Sequence, residues 1–353
     1  MTPGATLGTI RLPPSSSPPP RAAGPFGLRR GAGPALMIQP FQALACPLDG
    51  AALQRHGATW RCAAGHSFDI AGQGYANLLP VQYKRSKDPG DSKEMIAARR
   101  RYLESGVYRP IAAATARAAL ADLAPGAPAG CLDAGCSEGY YLRELAAAAP
   151  PGLTLEILGL DISKWAVQAA ARQEKRATWV VGTNARLPVR PASLDRLLCL
   201  FGFPVHAEFA RVLRPGGRIV QVDAGPDHLR ELREIIYPRL KDDPRRAFAP
   251  PAGFALLSED TLRYPARLTS RAQIADLLTM TPHLYRASAE GLARARLLTR
   301  LPLTVDVRLT RWQRQAPGLR IEPEPQPKSL FLFVHRDLPG PSAMRCECLM
   351  PSA

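Results

Sequence analysis

Apolar residues in this chain follow two rhythms. Nearly continuous runs at Leu155 to Asp161, Thr178 to Val181 and Leu194 to Phe201 fit strands buried on both faces. Stretches at Tyr140 to Ala149 and Lys164 to Arg172 repeat apolar positions at helical spacing. Strands alternating with helices argue for a parallel sheet. Cys131-Leu132 reads as the end of the first strand, and Leu213 to Val220 as a helix end, a Pro-Gly-Gly turn and another strand. Ser92 and Ser163 are expected helix N-caps. Thr304 to Trp312 alternates as an edge strand would. Pro238 to Tyr264, interrupted by Pro250-Pro251, reads as a mobile insert.

The chemistry starts at the first strand-to-helix turn, Asp133-Ala134-Gly135-Cys136-Ser137-Glu138-Gly139-Tyr140-Tyr141. Glycines let the backbone approach a ligand, and free helix N–H groups point at it. The spacing is not the G-x-G-x-x-G of dinucleotide binders. It is similar to the D-x-G-x-G-x-G of S-adenosylmethionine (SAM) methyltransferases, with Ser137 at the middle glycine. A glycine turn alone is also an ordinary connector. Asp161 shifts the balance: it ends the second strand about 20 residues on, where an acid can accept both hydroxyls of a ribose. Asn184, after the third strand, either reads an adenine edge or makes a turn. Leu187 completes the expected cofactor set.

Charge adds a second theme. The 353 residues hold 46 Lys and Arg against 30 Asp and Glu, a formal net charge of +16. That balance suggests a polyanionic partner, most simply nucleic acid; Arg-rich usage from a GC-rich genome is the bland alternative. The 7 cysteines do not suggest a disulfide framework, and Cys131, Cys136 and Cys199 are expected as small buried hydrophobes. No run approaches transmembrane length, and the expected location is the bacterial cytoplasm. Residues 1–36 are a disordered extension by composition, and translation is expected to start at Met37. Residues 315–353 form a Pro-rich tail without a functional account, and Cys346-Glu347-Cys348 is too short for a metal site of its own.

Residues 37–80 read as a small ribbon, structured from Cys46. Cys46, Asp49, Cys62 and His66 stand where a zinc module needs its ligands, with Asp49 in place of a thiolate. Either the four close a tetrahedron around zinc, or the ribbon holds its shape by packing Leu48, Trp60, Phe68 and Tyr75. Residues 81–107 are a basic linker and helix. Lys84, Arg85 and Lys87, then Arg99 and Arg100, have a density that suits RNA phosphates, although a solvated linker looks the same. Tyr75 and Tyr83 are either stacking faces for unpaired bases or core.

These pieces together carry a resemblance. Gly74-Tyr75-x-Asn77-Leu78-Leu79-Pro80, Lys84 to Asp91, Asp133 to Cys136 and Met280-Thr281-Pro282 closely resemble the bacterial 23S rRNA (guanine-N1)-methyltransferases. The resemblance spans about Cys46 to Arg314. It implies an α/β fold: a class I SAM-methyltransferase Rossmann-like sheet at 108–314 with a small N-terminal zinc-ribbon-like domain. It implies SAM as cofactor, zinc in the ribbon, a 23S rRNA hairpin as substrate and a homodimer. Phe201, Pro204, Asp223 and His228 are the catalytic candidates, at or beyond the ends of the fourth and fifth strands, and none stands out as general base. Two rivals remain open at this level: a small-molecule methyltransferase, and an rRNA-binding assembly factor that has lost catalysis.

Overall fold

The computed structural model describes residues 37–84, 86–240 and 249–316. The extension at 1–36, Arg85 and the tail beyond 316 lie outside the described residues. The N-terminal segment forms β1 (Met37–Pro40), β2 (Gln54–His56), β3 (Thr59–Arg61), β4 (Ser67–Asp69) and β5 (Tyr75–Asn77). Helices α1 (Lys93–Glu104) and α2 (Arg109–Leu120) follow. Then come β6 (Ala129–Ala134), α3 (Tyr140–Ala148), β7 (Thr154–Asp161), α4 (Lys164–Gln173), β8 (Thr178–Val181) and β9 (Leu194–Leu200). The chain continues through α5 (His206–Val212), β10 (Leu213–Ala224), α6 (Arg230–Ile236) and β11 (Phe254–Leu268). It closes with α7 (Arg271–Met280), α8 (His283–Arg286), α9 (Ala289–Leu297) and β12 (Leu301–Arg314).

A nine-stranded sheet runs in the order β11-β12-β10-β9-β6-β7-β8-β5, with β1 also paired to β7. Strands β10, β9, β6, β7, β8 and β5 are mutually parallel, and β12 is antiparallel to both β10 and β11. The order reverses between β6 and β9, so the crevice lies at the C-terminal ends of those strands.

Alternate strand residues feed two apolar clusters, as period-2 geometry requires. Cys131, Ile157, Trp179, Leu198 and Val220 join one cluster with Leu142, Val167 and Ile274 from the helices. Their neighbours Leu132, Leu158, Val180, Leu197 and Ile219 join the other, with Phe209 of α5.

The ribbon strands β2, β3 and β4 make their own small antiparallel sheet. Trp60 and Cys62 nevertheless share the second cluster with Leu132 and Leu158. The segment is also tied into the main sheet at both ends. β1 pairs the first half of β7, from Thr154 to Ile157, while β8 pairs the second half, from Leu158 to Asp161. β5 adds to β8 at Trp179 to Val181. Met37–Pro40, ahead of Cys46, is thus already part of the sheet; a four-residue strand is too short to show a period.

The C-terminal part corrects two expectations. Residues 254–264 are not irregular: they belong to β11, a 15-residue strand. Its alternating exposure reflects one solvent-facing side, and Pro265 is tolerated because β11 is the edge. β12 is interior, between β11 and β10, and not an edge strand.

Candidate cofactor site and metal centre

β6 delivers the chain to a turn whose backbone is left-handed at Gly135 (φ 112°), Ser137 (φ 49°) and Gly139 (φ 83°). The N–H groups of Gly135 and Cys136 both donate to the carbonyl of Leu160, at 2.8 and 2.9 Å, and lock the turn to the end of β7. At Gly139, the residue before α3, a Cβ would meet Trp179 at 2.7 Å, so only glycine fits there. Ser137 departs from that logic, since a side chain in this region costs roughly 1–2 kcal/mol. Its hydroxyl has a partner: Nη1 of Arg99 donates to Oγ at 2.8 Å.

Asp161 sits where β7 ends. Oδ2 accepts from the Ser137 N–H at 2.9 Å and Oδ1 from the Ser163 N–H at 2.8 Å. Burial raises its pKa, and the two N–H bonds pull the other way. Ser163 caps α4 as expected, accepting from the Ala166 N–H. Asp133 is 1% exposed, and neither carboxyl oxygen has a hydrogen-bond partner among the described residues. Burial, then the charge of Asp161, pushes its pKa up to about 8. A buried acid without a partner, beside a glycine turn, suits a cationic ligand. SAM carries a sulfonium, an ammonium and a ribose, so the two acids and the turn fit it.

The other expected positions gather on the same edge of the sheet with different jobs. The Asn184 Nδ2 group donates to the carbonyls of Ala134 (3.2 Å) and Phe203 (3.3 Å), which joins the ends of β6 and β9. Its Oδ1 is buried without a partner among the described residues. Leu187 is a core residue, 2% exposed. Tyr140 is buried and meets Tyr141 edge-on. Phe201 is left-handed (φ 51°) and held by its N–H to the carbonyl of Val222. Phe203, beside Pro204, is 87% exposed. Asp223, next to last in β10, accepts from Gln221 Nε2 at 2.8 Å.

His228 has both ring nitrogens engaged. Nδ1 accepts from the Asp306 N–H at 3.3 Å, so the ring proton belongs on Nε2, 3.0 Å from the Tyr108 hydroxyl. Burial lowers its pKa to about 4, which leaves it neutral near pH 7. Tyr108 and Phe201 rings stack 6.0 Å apart, and Phe201 lies 5.6 Å from His228. His228 and Tyr108 thus form a buried wall behind Phe201. Tyr108 had no signal in the sequence beyond being aromatic.

Cys46, Asp49, Cys62 and His66 bring one ligand atom each within 4.8 Å of one another. His66 Nδ1 lies 3.1 Å from Asp49 Oδ2, 3.3 Å from Cys62 Sγ and 3.5 Å from Cys46 Sγ. Tetrahedral zinc, with bonds of about 2.0–2.3 Å, sets its donors roughly 3.3–3.8 Å apart. The donor set fits zinc, and the three distances from His66 lie close to that spacing. The Ala51 N–H holds the Asp49 carboxyl down to about 2, so it stays an anionic donor.

The expected RNA contacts divide. Lys87 is exposed and Lys84 half-buried, and neither has an acidic partner among the described residues. Tyr83 is exposed but engaged by Arg186, whose Nη1 donates to its hydroxyl at 2.5 Å. Tyr75 is only 7% exposed and packs in the core, which prevents stacking on a base. Arg100 pairs with Glu104 along α1. Arg99 points inward to Ser137, Asp91 and the Met280 carbonyl.

This topology, with its glycine turn after the first strand and an acid at the end of the second, defines a class I SAM-dependent methyltransferase. Residues 131–217 match the family model described as "Methyltransferase domain", and residues 44–87 match the zinc-ribbon model described as "RlmA, N-terminal". A Streptomyces fradiae protein named 23S rRNA (guanine(748)-N(1))-methyltransferase is 33% identical over 255 residues, covering 71% of this chain and 89% of its own. A Micromonospora griseorubida protein assigned as a 23S rRNA (guanine-N(1)-)-methyltransferase is 36% identical over 293 residues, 76% of this chain and 97% of its own. A Bacillus subtilis protein with the same assignment is 30% identical over 282 residues, 76% and 95% of the two chains. The chain belongs to the 23S rRNA (guanine-N1)-methyltransferase family.

Proposed function

We propose that this protein methylates N1 of a guanine in an unpaired hairpin loop of 23S rRNA. The observation that carries the reading is one edge of the sheet, where the Asp133–Gly139 turn, Asp161 and, through Asn184, the exposed Phe203 come together. SAM, when bound, supplies a methyl carbon already made electrophilic by its sulfonium.

The chain's own work is then positioning. Asp161 accepts the ribose hydroxyls, and Asp133 faces the cationic end of the cofactor. Asn184 fixes the carbonyl edge between Phe203 and Ala134, so the acceptor base meets a rigid wall. Phe201, backed by Tyr108 and His228, offers the base an aromatic surface. Because Nδ1 of His228 already accepts a hydrogen bond, the N1 proton goes to solvent or to Asp223 rather than to this ring. Guanine N1 is hidden in a duplex, so the target must be unstacked and unpaired. Lys84 and Lys87 hold the RNA backbone, and two copies of the chain gripping one hairpin would add the second ribbon. An rRNA substrate implies a cytoplasmic site of action.

N1 methylation blocks Watson–Crick pairing and stops reverse transcription. Purified protein, SAM and unmethylated 23S rRNA should yield one new stop at a loop guanine. Methylation of small molecules with no rRNA product would overturn the assignment.

A further inference from the structure

Two sequence motifs have no part in the cofactor contacts above: the segment ending Asp88-Pro89-Gly90-Asp91, and Met280-Thr281-Pro282. The structure brings both to Arg99. Its guanidinium donates to Ser137 Oγ at 2.8 Å and to the Met280 carbonyl at 2.8 Å, and pairs with Asp91 Oδ2 at 2.5 Å. Asp91 is also held through its backbone, since Ser163 Oγ donates to its carbonyl at 2.7 Å. Ser137 and Ser163 are the residues whose N–H groups grip the two oxygens of Asp161. The contacts therefore close a ring: Asp161, Ser137, Arg99, Asp91, Ser163 and back to Asp161.

Packing tightens the same ring. Gly90 has φ +86°, and a Cβ there would lie 2.8 Å from Ile162 and 3.0 Å from the Ser163 nitrogen. The segment rests directly on the residues after Asp161. Ser137 acquires a purpose here. A glycine would take its left-handed backbone without strain, but could not meet Arg99.

Building on the SAM reading of Asp161, we infer that Arg99 is a positioning residue that couples the cofactor site to the Ser86–Asp91 segment. A ligand that orders the Asp161 carboxylate orders Ser137 and Ser163, and through them Arg99 and Asp91. The segment that carries Lys87 is thereby set in register with the methyl donor. Coupling of this kind is reciprocal, so whatever RNA does to the segment returns to SAM affinity.

The test is hydrogen exchange by mass spectrometry on the full-length protein, with and without SAM, following amides of residues 86–92. SAM should slow exchange there at least about five-fold in the wild type. Arg99→Gln breaks one arm of the ring and leaves the Ser163–Asp91 arm, so it should cut that protection at least about twofold and weaken SAM binding by calorimetry about tenfold, with kcat at saturating SAM within about twofold of wild type. Arg99→Lys should not rescue, because a single ammonium cannot span the three partners. Should Arg99→Gln fail to fold, Ser137→Gly serves, since glycine accepts the backbone angle; it should bind SAM yet protect 86–92 measurably less than the wild type does. Unchanged protection in either folded variant overturns the inference and leaves the enzyme assignment standing. A wild type that binds no SAM overturns both, and one that binds SAM without protecting 86–92 overturns the inference alone.

Discussion

At the scale of single residues, the two acids of the crevice make separable predictions. Asp161→Ala removes the proposed ribose acceptor and frees the N–H groups of Ser137 and Ser163 that it now holds. Losing a charge-assisted hydrogen bond costs about 1.5–3 kcal/mol, so SAM affinity by calorimetry should fall at least about tenfold. A folded variant with wild-type affinity would remove Asp161 from the ribose site. Asp133 predicts a proton. Its pKa of about 8 means the ligand-free protein keeps that carboxyl protonated at pH 7. A cationic ligand favours the charged form and lowers that value. Binding at pH 7 should therefore release up to roughly 0.9 of a proton from this group. Calorimetry in buffers of different ionisation enthalpy measures the release, and Asp133→Asn should eliminate it. The stability sign follows from the same shift. Between pH 4 and 8 the unfolded chain ionises Asp133 and the folded chain does not, so stability falls with rising pH through this group. Asp133→Asn should gain in urea midpoint relative to the wild type as pH rises from 5 to 8. That the two acids flank one glycine turn was legible from spacing. The contact between Arg99 and Ser137 was not, because it joins positions 38 apart in sequence and depends on how α1 packs.

At the scale of elements, the ribbon shows what a ligand pattern can and cannot say. Cys46, Asp49, Cys62 and His66 were readable as a donor set, and the structure does converge them. Whether the ribbon stands apart from the catalytic sheet was not readable. β1 and β5 carry only four and three residues, and the sheet they join is assembled from residues more than seventy positions away. The same limit hid β11, whose solvent-facing side breaks up its apolar signal. Because Trp60 and Cys62 share a core with β6 and β7, a metal bound by Cys46, Asp49, Cys62 and His66 would stabilise more than a ribbon. Metal analysis should find about one zinc per chain, and Cys62→Ser should lose it. That variant should also melt earlier, by several degrees. A variant that loses zinc with an unchanged melting temperature would mean the shared core holds the segment alone.

At the scale of the whole molecule, the parallel core of the sheet followed from the alternation of strands and helices, while the strand order and the division of charge did not. A net +16 says only that a polyanion is favoured, and many of the basic residues prove to be committed internally. Arg99, Arg101, Arg143 and Arg211 all pair with acids of this chain. Lys84 and Lys87 have no such partner among the described residues, and Lys87 lies three residues before Gly90, which packs against Ile162 and Ser163. If they contact phosphates, each releases condensed counterions when RNA binds. Replacing both with Ala should flatten the log–log dependence of RNA affinity on salt by about 0.7–0.9 for each phosphate no longer neutralised. Phosphate contacts position a substrate and leave the chemistry alone. The double variant should therefore raise KM for rRNA, keep kcat and keep SAM affinity, because Asp91 and Arg99 are untouched. Filter binding of a 23S hairpin fragment across a salt series makes the measurement. Superimposable curves for wild type and double variant would assign these lysines to solvation, and the RNA-binding charge would then have to lie elsewhere on the molecule.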